Sequence, residues 1–73
     1  MGKEEFLTKL AEILDTKTQL SEETFLWDVP EFDSMSAMGF IAFADEHFSK
    51  KLKATDIHNL NTVRDFMDLV GMP

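Results

Sequence analysis

Asp33-Ser34-Met35 is the place in this 73-residue sequence where residue type and setting combine into usable chemistry. A serine that opens a helix lies among backbone N–H groups without intrahelical partners, at the positive end of the helix dipole. That environment suits a phosphate. A serine that merely caps a helix is common, so the setting carries the argument. A long acidic loop precedes the tripeptide, and a helix with apolar residues on two sides follows it. A phosphodiester on Ser34 would stand at the rim of the fold, with its attached arm free to move.

Catalytic chemistry is poorly supplied elsewhere. His47 and His58 have nothing at metal-ligand spacing around them, and Asp45 and Glu46 diverge from His47 around a helix. The chain has no Cys, which removes both a thiolate nucleophile and any disulfide. Gly2, Gly39 and Gly71 are scattered and form no phosphate loop. The loop acids do not follow the calcium-loop pattern D-x-[DN]-x-[DN]-G. The expectation is a protein that is neither an enzyme nor a metal binder.

Helices position these residues. Phe6, Leu7, Leu10, Ile13 and Leu14 share one face of a helix over residues 3–14, with Glu4 and Glu5 in its first turn. Residues 15–33 keep no period and hold six acids against Lys17. Leu20, Phe25, Leu26, Trp27, Val29 and Phe32 should pin this loop across the helices. Within it, Ser21–Thr24 is expected to form a short helical turn, and Pro30 pushes Val29 towards an extended conformation. A second helix spans 34–48, capped by Asp33 or Ser34. Ala37, Phe40, Ile41, Ala44 and Phe48 form its core stripe. Met35, Met38 and Ala42 lie opposite, with Phe43 at the edge of that outer side and Asp45 and Glu46 one turn further on.

Residues 49–61 read as a connector containing a short helix that Thr55 could cap. Residues 62–70 form the last helix, with Val63, Phe66, Met67 and Val70 inward. Thr62 and Asp65 resemble a capping box, and Gly71 and Pro73 stop the helix. The fold class expected is all-α: one domain over 1–73, three main helices plus a short one, with a long first loop. So short a chain buries only about 60% of its unfolded surface.

The balance of 14 acids against 7 bases gives a net charge of -7, which repels nucleic acid and anionic membranes and favours partners with basic patches. No run is apolar enough for a membrane span. The start of the chain has no apolar signal core, and Phe6 stands where a myristoylation motif wants Ser or Thr. A cytoplasmic location is therefore expected.

The chain resembles the acyl carrier protein family, whose hallmark is Asp-Ser-Leu at the start of helix two. Asp33-Ser34-Met35 matches it with a Met that conserves bulk and apolarity. Phe48 matches the closing aromatic of helix two. Leu52, Ile57, Leu60 and Val63 follow the later apolar spacing, and Thr62-Val63 matches a Thr-Val opening of helix four. The resemblance runs from about Glu4 to Val70. It implies that a phosphopantetheinyl transferase attaches a 4'-phosphopantetheine arm to Ser34, with Asp33 and Met35 framing it. It implies that an acyl or aminoacyl group is held on the arm as a thioester. It further implies a monomer that docks its loading ligase and its downstream acyltransferase or synthase through helix two. Met35, Met38 and Ala42 would supply the apolar contact, and Asp45 and Glu46 the charges.

Several positions depart from the family pattern. Carriers of fatty acid synthesis usually have acids where this chain has Ser36 and Gly39. Phe43-Ala44 stands where a small residue and a Leu are common, which would shift bulk outward and reshape or fill an acyl cavity. Lys50, Lys51 and Lys53 replace common acids. Gly39 suggests a close neighbour, either the arm or a partner. A dedicated carrier for one pathway is expected; peptidyl carriers, with their Gly-Gly-His-Ser context, rank lower. The competing reading is an unmodified helical adaptor that binds a partner through Met35 and Met38.

Overall fold

A computed structural model describes residues 1–72. Helix α1 spans Lys3–Leu14, α2 spans Ser34–Phe48, α3 spans Ala54–His58 and α4 spans Val63–Val70. Among the described residues there is no strand, only an isolated bridge between Phe25 and Thr62. The all-α expectation holds; α1 and α2 keep the expected bounds, and α4 starts one residue later than expected because Thr62 is its cap. Among the described residues no helix is long and apolar enough to cross a membrane.

Each helix end has a local cause. The expected Thr62–Asp65 box is present: Asp65 N–H donates to Thr62 Oγ1 at 3.2 Å, and Thr62 N–H donates to Asp65 Oδ2 at 3.0 Å. The N–H groups of Thr62 and Asn61 hold the Asp65 carboxyl below its usual range. Gly71 closes α4 at φ 83, a left-handed conformation that favours glycine. Thr55 does not cap α3. It lies inside that helix, and Lys53 precedes the first turn, with its N–H donating to Asp56 Oδ2 at 2.8 Å. Asp56 can reach back from the third helical position, whereas Thr55 is already within the turn.

The long loop is strapped to the start of α4. Val63 N–H donates to Thr24 O at 3.0 Å, Arg64 N–H to Glu22 O at 2.9 Å, and Leu26 N–H to Asn61 O at 2.8 Å. Side chains reinforce the strap. Glu22 meets Lys3 and Arg64 at 2.7 Å each, and Arg64 also meets Asp68 at 3.1 Å. Leu20, Leu26, Val29 and Phe32 are buried as expected, but Phe25 and Trp27 are about half exposed. The expected turn at Ser21–Thr24 is held by one backbone bond and is not a helix; a 3-10 helix occurs instead at Leu26–Asp28. Val29 is extended before Pro30, as expected.

The core is an aromatic chain. Phe40 stacks on Phe66 with centroids 4.8 Å apart, Phe66 meets Phe6 at 5.8 Å, and Phe6 meets Phe43 at 5.6 Å. Phe43 is 5% exposed, so its expected place near the outer side of α2 is corrected. The buried stripe of α2 is Ser36, Ala37, Phe40, Phe43 and Ala44, while Ile41 and Phe48 are half-buried. The stripe is turned because α1 presents Phe6, and α4 Phe66, to Phe43. Such ring pairs add about 0.5–1.5 kcal/mol each beyond burial.

Gly39 marks the close approach of α1 to α2. A Cβ built there would stand 2.6 Å from Ile13 Cγ2, so its near neighbour is α1 rather than an arm or a partner. Replacing Gly by Ala in an unobstructed helix gains about 1 kcal/mol. Denaturant unfolding should show no such gain for Gly39→Ala, but about 1 kcal/mol of stabilisation when Ile13→Ala is already present. Equal gains in both backgrounds would refute the close contact.

The strap also predicts a pH dependence. Hydrogen bonds from Lys3, then from Arg64, hold the Glu22 carboxyl below its ordinary value of 4.5. The folded state therefore binds this proton less readily than the unfolded state, and Glu22 stabilises the fold above that value. The stability difference between wild type and Glu22→Gln should be full at neutral pH and shrink as pH falls through the depressed pKa. A difference independent of pH in equilibrium unfolding would contradict the ion pairs.

Candidate functional site

Ser34 opens α2, and Asp33 is the cap. Asp33 Oδ1 accepts from Ser36 N–H at 3.0 Å and from Ser36 Oγ at 3.2 Å. The Ser36 N–H, helped by the Ser36 hydroxyl and the Met35 N–H, holds the Asp33 carboxyl below its usual range. Ser36 Oγ also donates to Glu31 O at 2.8 Å, tying the end of the loop to the first turn of α2. Ser36 is 6% exposed. Its role was not anticipated, although a Ser three residues after an Asp cap was visible in the sequence.

The two serines thus differ sharply. Ser36 is buried and its hydroxyl is fully engaged. Ser34 is exposed, and its hydroxyl makes no hydrogen bond among the described residues. An exposed serine whose hydroxyl holds no part of the fold together can accept a substituent without breaking it. The donors at the helix start are less available than the sequence suggested, because Asp33 already takes the Ser36 N–H. A phosphodiester on Ser34 would therefore gain from the dipole and from its outward position rather than from a cradle of N–H groups. The residues present fit such a group.

Met35 and Met38 are 79% and 70% exposed, and Ala42 is exposed one turn further along the same face. Asp45 and Glu46 are exposed too. Asp45 is partnered: Lys51 Nζ lies 2.7 Å from its Oδ1. Glu46 borders an open groove with Lys9, Glu12, Ile13, Gly39 and His47. A second open groove beside the cap is lined by Ile13, Leu14, Asp15, Glu31, Asp33, Met35, Ser36 and Gly39. The histidines lie apart, His47 against Phe43 at 4.8 Å and His58 beside Trp27 at 6.1 Å.

Comparison with known proteins gives the family. The chain is 35% identical over 75 aligned residues to an acyl carrier protein of Myxococcus xanthus, covering 94% of each chain. The chain belongs to the acyl carrier protein family. An acyl carrier protein of Micrococcus luteus is 35% identical, covering 94% of this chain and 91% of the relative. One of Acidothermus cellulolyticus is 33% identical, covering 97% and 90%. No protein-family profile matches the chain, and no solved structure matches it at a significant level. A carrier role in general follows from membership of the acyl carrier protein family, whose members carry intermediates rather than catalyse.

The contrast between the serines can be measured. Ser36→Ala removes the bond to Glu31 O and one partner of Asp33, and should cost about 1–2 kcal/mol in denaturant unfolding. Ser34→Ala should lie within about 0.5 kcal/mol of wild type. Equal costs would contradict the hydrogen-bonding assignment.

Proposed function

We propose that this protein carries an acyl or aminoacyl group as a thioester on a 4'-phosphopantetheine arm attached to Ser34 Oγ. The observation that carries the reading is the free, exposed hydroxyl of Ser34 at the head of α2, in the Asp33-Ser34-Met35 run of an acyl carrier protein family member. When attached, the arm supplies the thiol that this Cys-free chain lacks. The chain itself supplies position. Asp33 and Ser36 hold the first turn of α2 rigid, so that Ser34 meets a phosphopantetheinyl transferase in one orientation. Residues 1–73 act as one carrier domain.

Met35, Met38 and Ala42 form the contact surface for the transferase, for a loading ligase and for a downstream acyltransferase or synthase. Met suits a surface that greets several partners. Asp45 and Glu46 steer partners with basic rims. The Asp45–Lys51 pair weakens that steering, and Ser36 and Gly39 supply no charge, so a dedicated carrier with fewer partners is favoured over a general one. The protein works as a cytoplasmic monomer, with no nucleic acid and no membrane insertion in its cycle.

The exposure of Met35 and Met38 favours a second reading, an unmodified adaptor that binds a partner through the same face. Intact mass separates the two. Incubation with coenzyme A and a promiscuous transferase should add one arm to the wild type and none to a folded Ser34→Ala. No gain with several transferases would sink the carrier reading, and unimpaired function of Ser34→Ala would favour the adaptor.

A further inference from the structure

We infer that Met35 and Met38 are sites of reversible oxidation, and that their conversion to sulfoxides by hydrogen peroxide shuts the docking face beside Ser34. The inference rests on the carrier reading and names a regulation of its attachment site.

The five methionines divide by exposure. Met35 and Met38 stand largely in solvent and Met1 is half-exposed, whereas Met67 and Met72 are buried in the core. Met35 follows Ser34 directly, and Met38 lies one turn further along α2. Residues three apart in a helix are neighbours on its surface, so the two thioethers form one patch. The chain has no Cys. Before an arm is attached, a peroxide therefore meets no thiol, and the exposed thioethers are its readiest target. Glu31 and Asp33 border the same groove as Met35, on a chain of net charge -7. Such a field holds back anionic oxidants but not hydrogen peroxide, which is uncharged.

In the step, a sulfur lone pair attacks one peroxide oxygen, an S–O bond forms and the O–O bond breaks. The sulfur is oxidised by two electrons and the peroxide is reduced. The departing hydroxide takes the proton of the transferred oxygen and leaves as water. An adaptable apolar thioether becomes a polar, chiral sulfoxide. The fold loses nothing, because both side chains already lie in solvent. A docking partner loses its apolar contact, since of Met35, Met38 and Ala42 only the methyl of Ala42 stays apolar. Covering the patch would bury two S=O groups without donors placed to meet them, which is unfavourable. Methionine sulfoxide reductases return the thioethers, so the change is reversible.

The test treats the arm-free wild type and a Met35→Leu/Met38→Leu double variant with hydrogen peroxide, which catalase then removes. Peptide mass locates the sulfoxides, and the thermal midpoint reports the fold. Intact mass follows loading from coenzyme A by a promiscuous transferase, each protein being compared with its own untreated form. Met35 and Met38 should oxidise at least about tenfold faster than Met67, which must await an opening of the core. Oxidised wild type should load with a KM raised about tenfold, a smaller change in kcat and an unchanged midpoint. Sulfoxide reductases should restore the untreated KM. The double variant, which keeps Met1, should load alike before and after treatment. Equal slowing in the double variant, no slowing in a wild type carrying both sulfoxides, a lowered midpoint, or oxidation of Met67 as fast as Met38 would each overturn the inference and leave the carrier reading standing. No arm on the untreated protein would overturn the carrier reading, and this regulation with it.

Discussion

The first N–H groups of α4 have no partners inside their own helix, and the acceptors they find organise the rest of the molecule. A helix start buried against its neighbours cannot leave those donors bare. Val63 and Arg64 give theirs to Thr24 and Glu22 of the long loop, and Thr62 serves Asp65. The loop is thereby fixed at its middle, and its second half has one course left. It buries Leu26 and Val29, passes Pro30 and delivers Phe32 under the head of α2. The charges of Lys3, Glu22, Arg64 and Asp68 lie over this strap and tie α1 and α4 to it.

A fixed loop makes the first turn of α2 a fixed point. Glu31 offers its carbonyl and Asp33 its carboxylate, and Ser36 engages both. The neighbouring Ser34 is left with its hydroxyl in solvent. Burial of one serine and release of the other are thus one event, since a helix places residues two apart on divergent sides. The same turn puts Met35 and Met38 outward, because Ala37 and Phe40 must face the rings of the core.

Much of this was legible in the sequence. Periodicity marked α1, α2 and α4, since a one-sided apolar pattern is a direct record of burial. The Thr62–Asp65 box and the Asp33 cap are local motifs, and both formed. Phe43 was misplaced because angle counting assumes one buried face. In the fold Phe6 of α1 and Phe66 of α4 both meet Phe43, so the buried stripe is turned towards it and away from Ile41 and Phe48. Gly39 was legible as a close approach, but its neighbour was not: Ile13 is far along the chain, and only the packing angle of α1 brings it there. Thr55 looked like a cap from its type alone, while Asp56 could reach the N–H of Lys53 and set the boundary earlier.

The sequence by itself determined the helices, the long loop between the first two, the acidity and the serine at the head of α2. Each follows from local preference or from a pattern repeated along a few turns. Only the tertiary structure decided that Ser36 is locked while Ser34 is free, that Phe43 joins the core, and that Asp45 is partnered by Lys51. Those outcomes depend on groups far apart in the chain, or across a turn, meeting at distances of a few ångströms. Local preferences do not encode such meetings; the simultaneous burial of the rings and pairing of the backbone donors does.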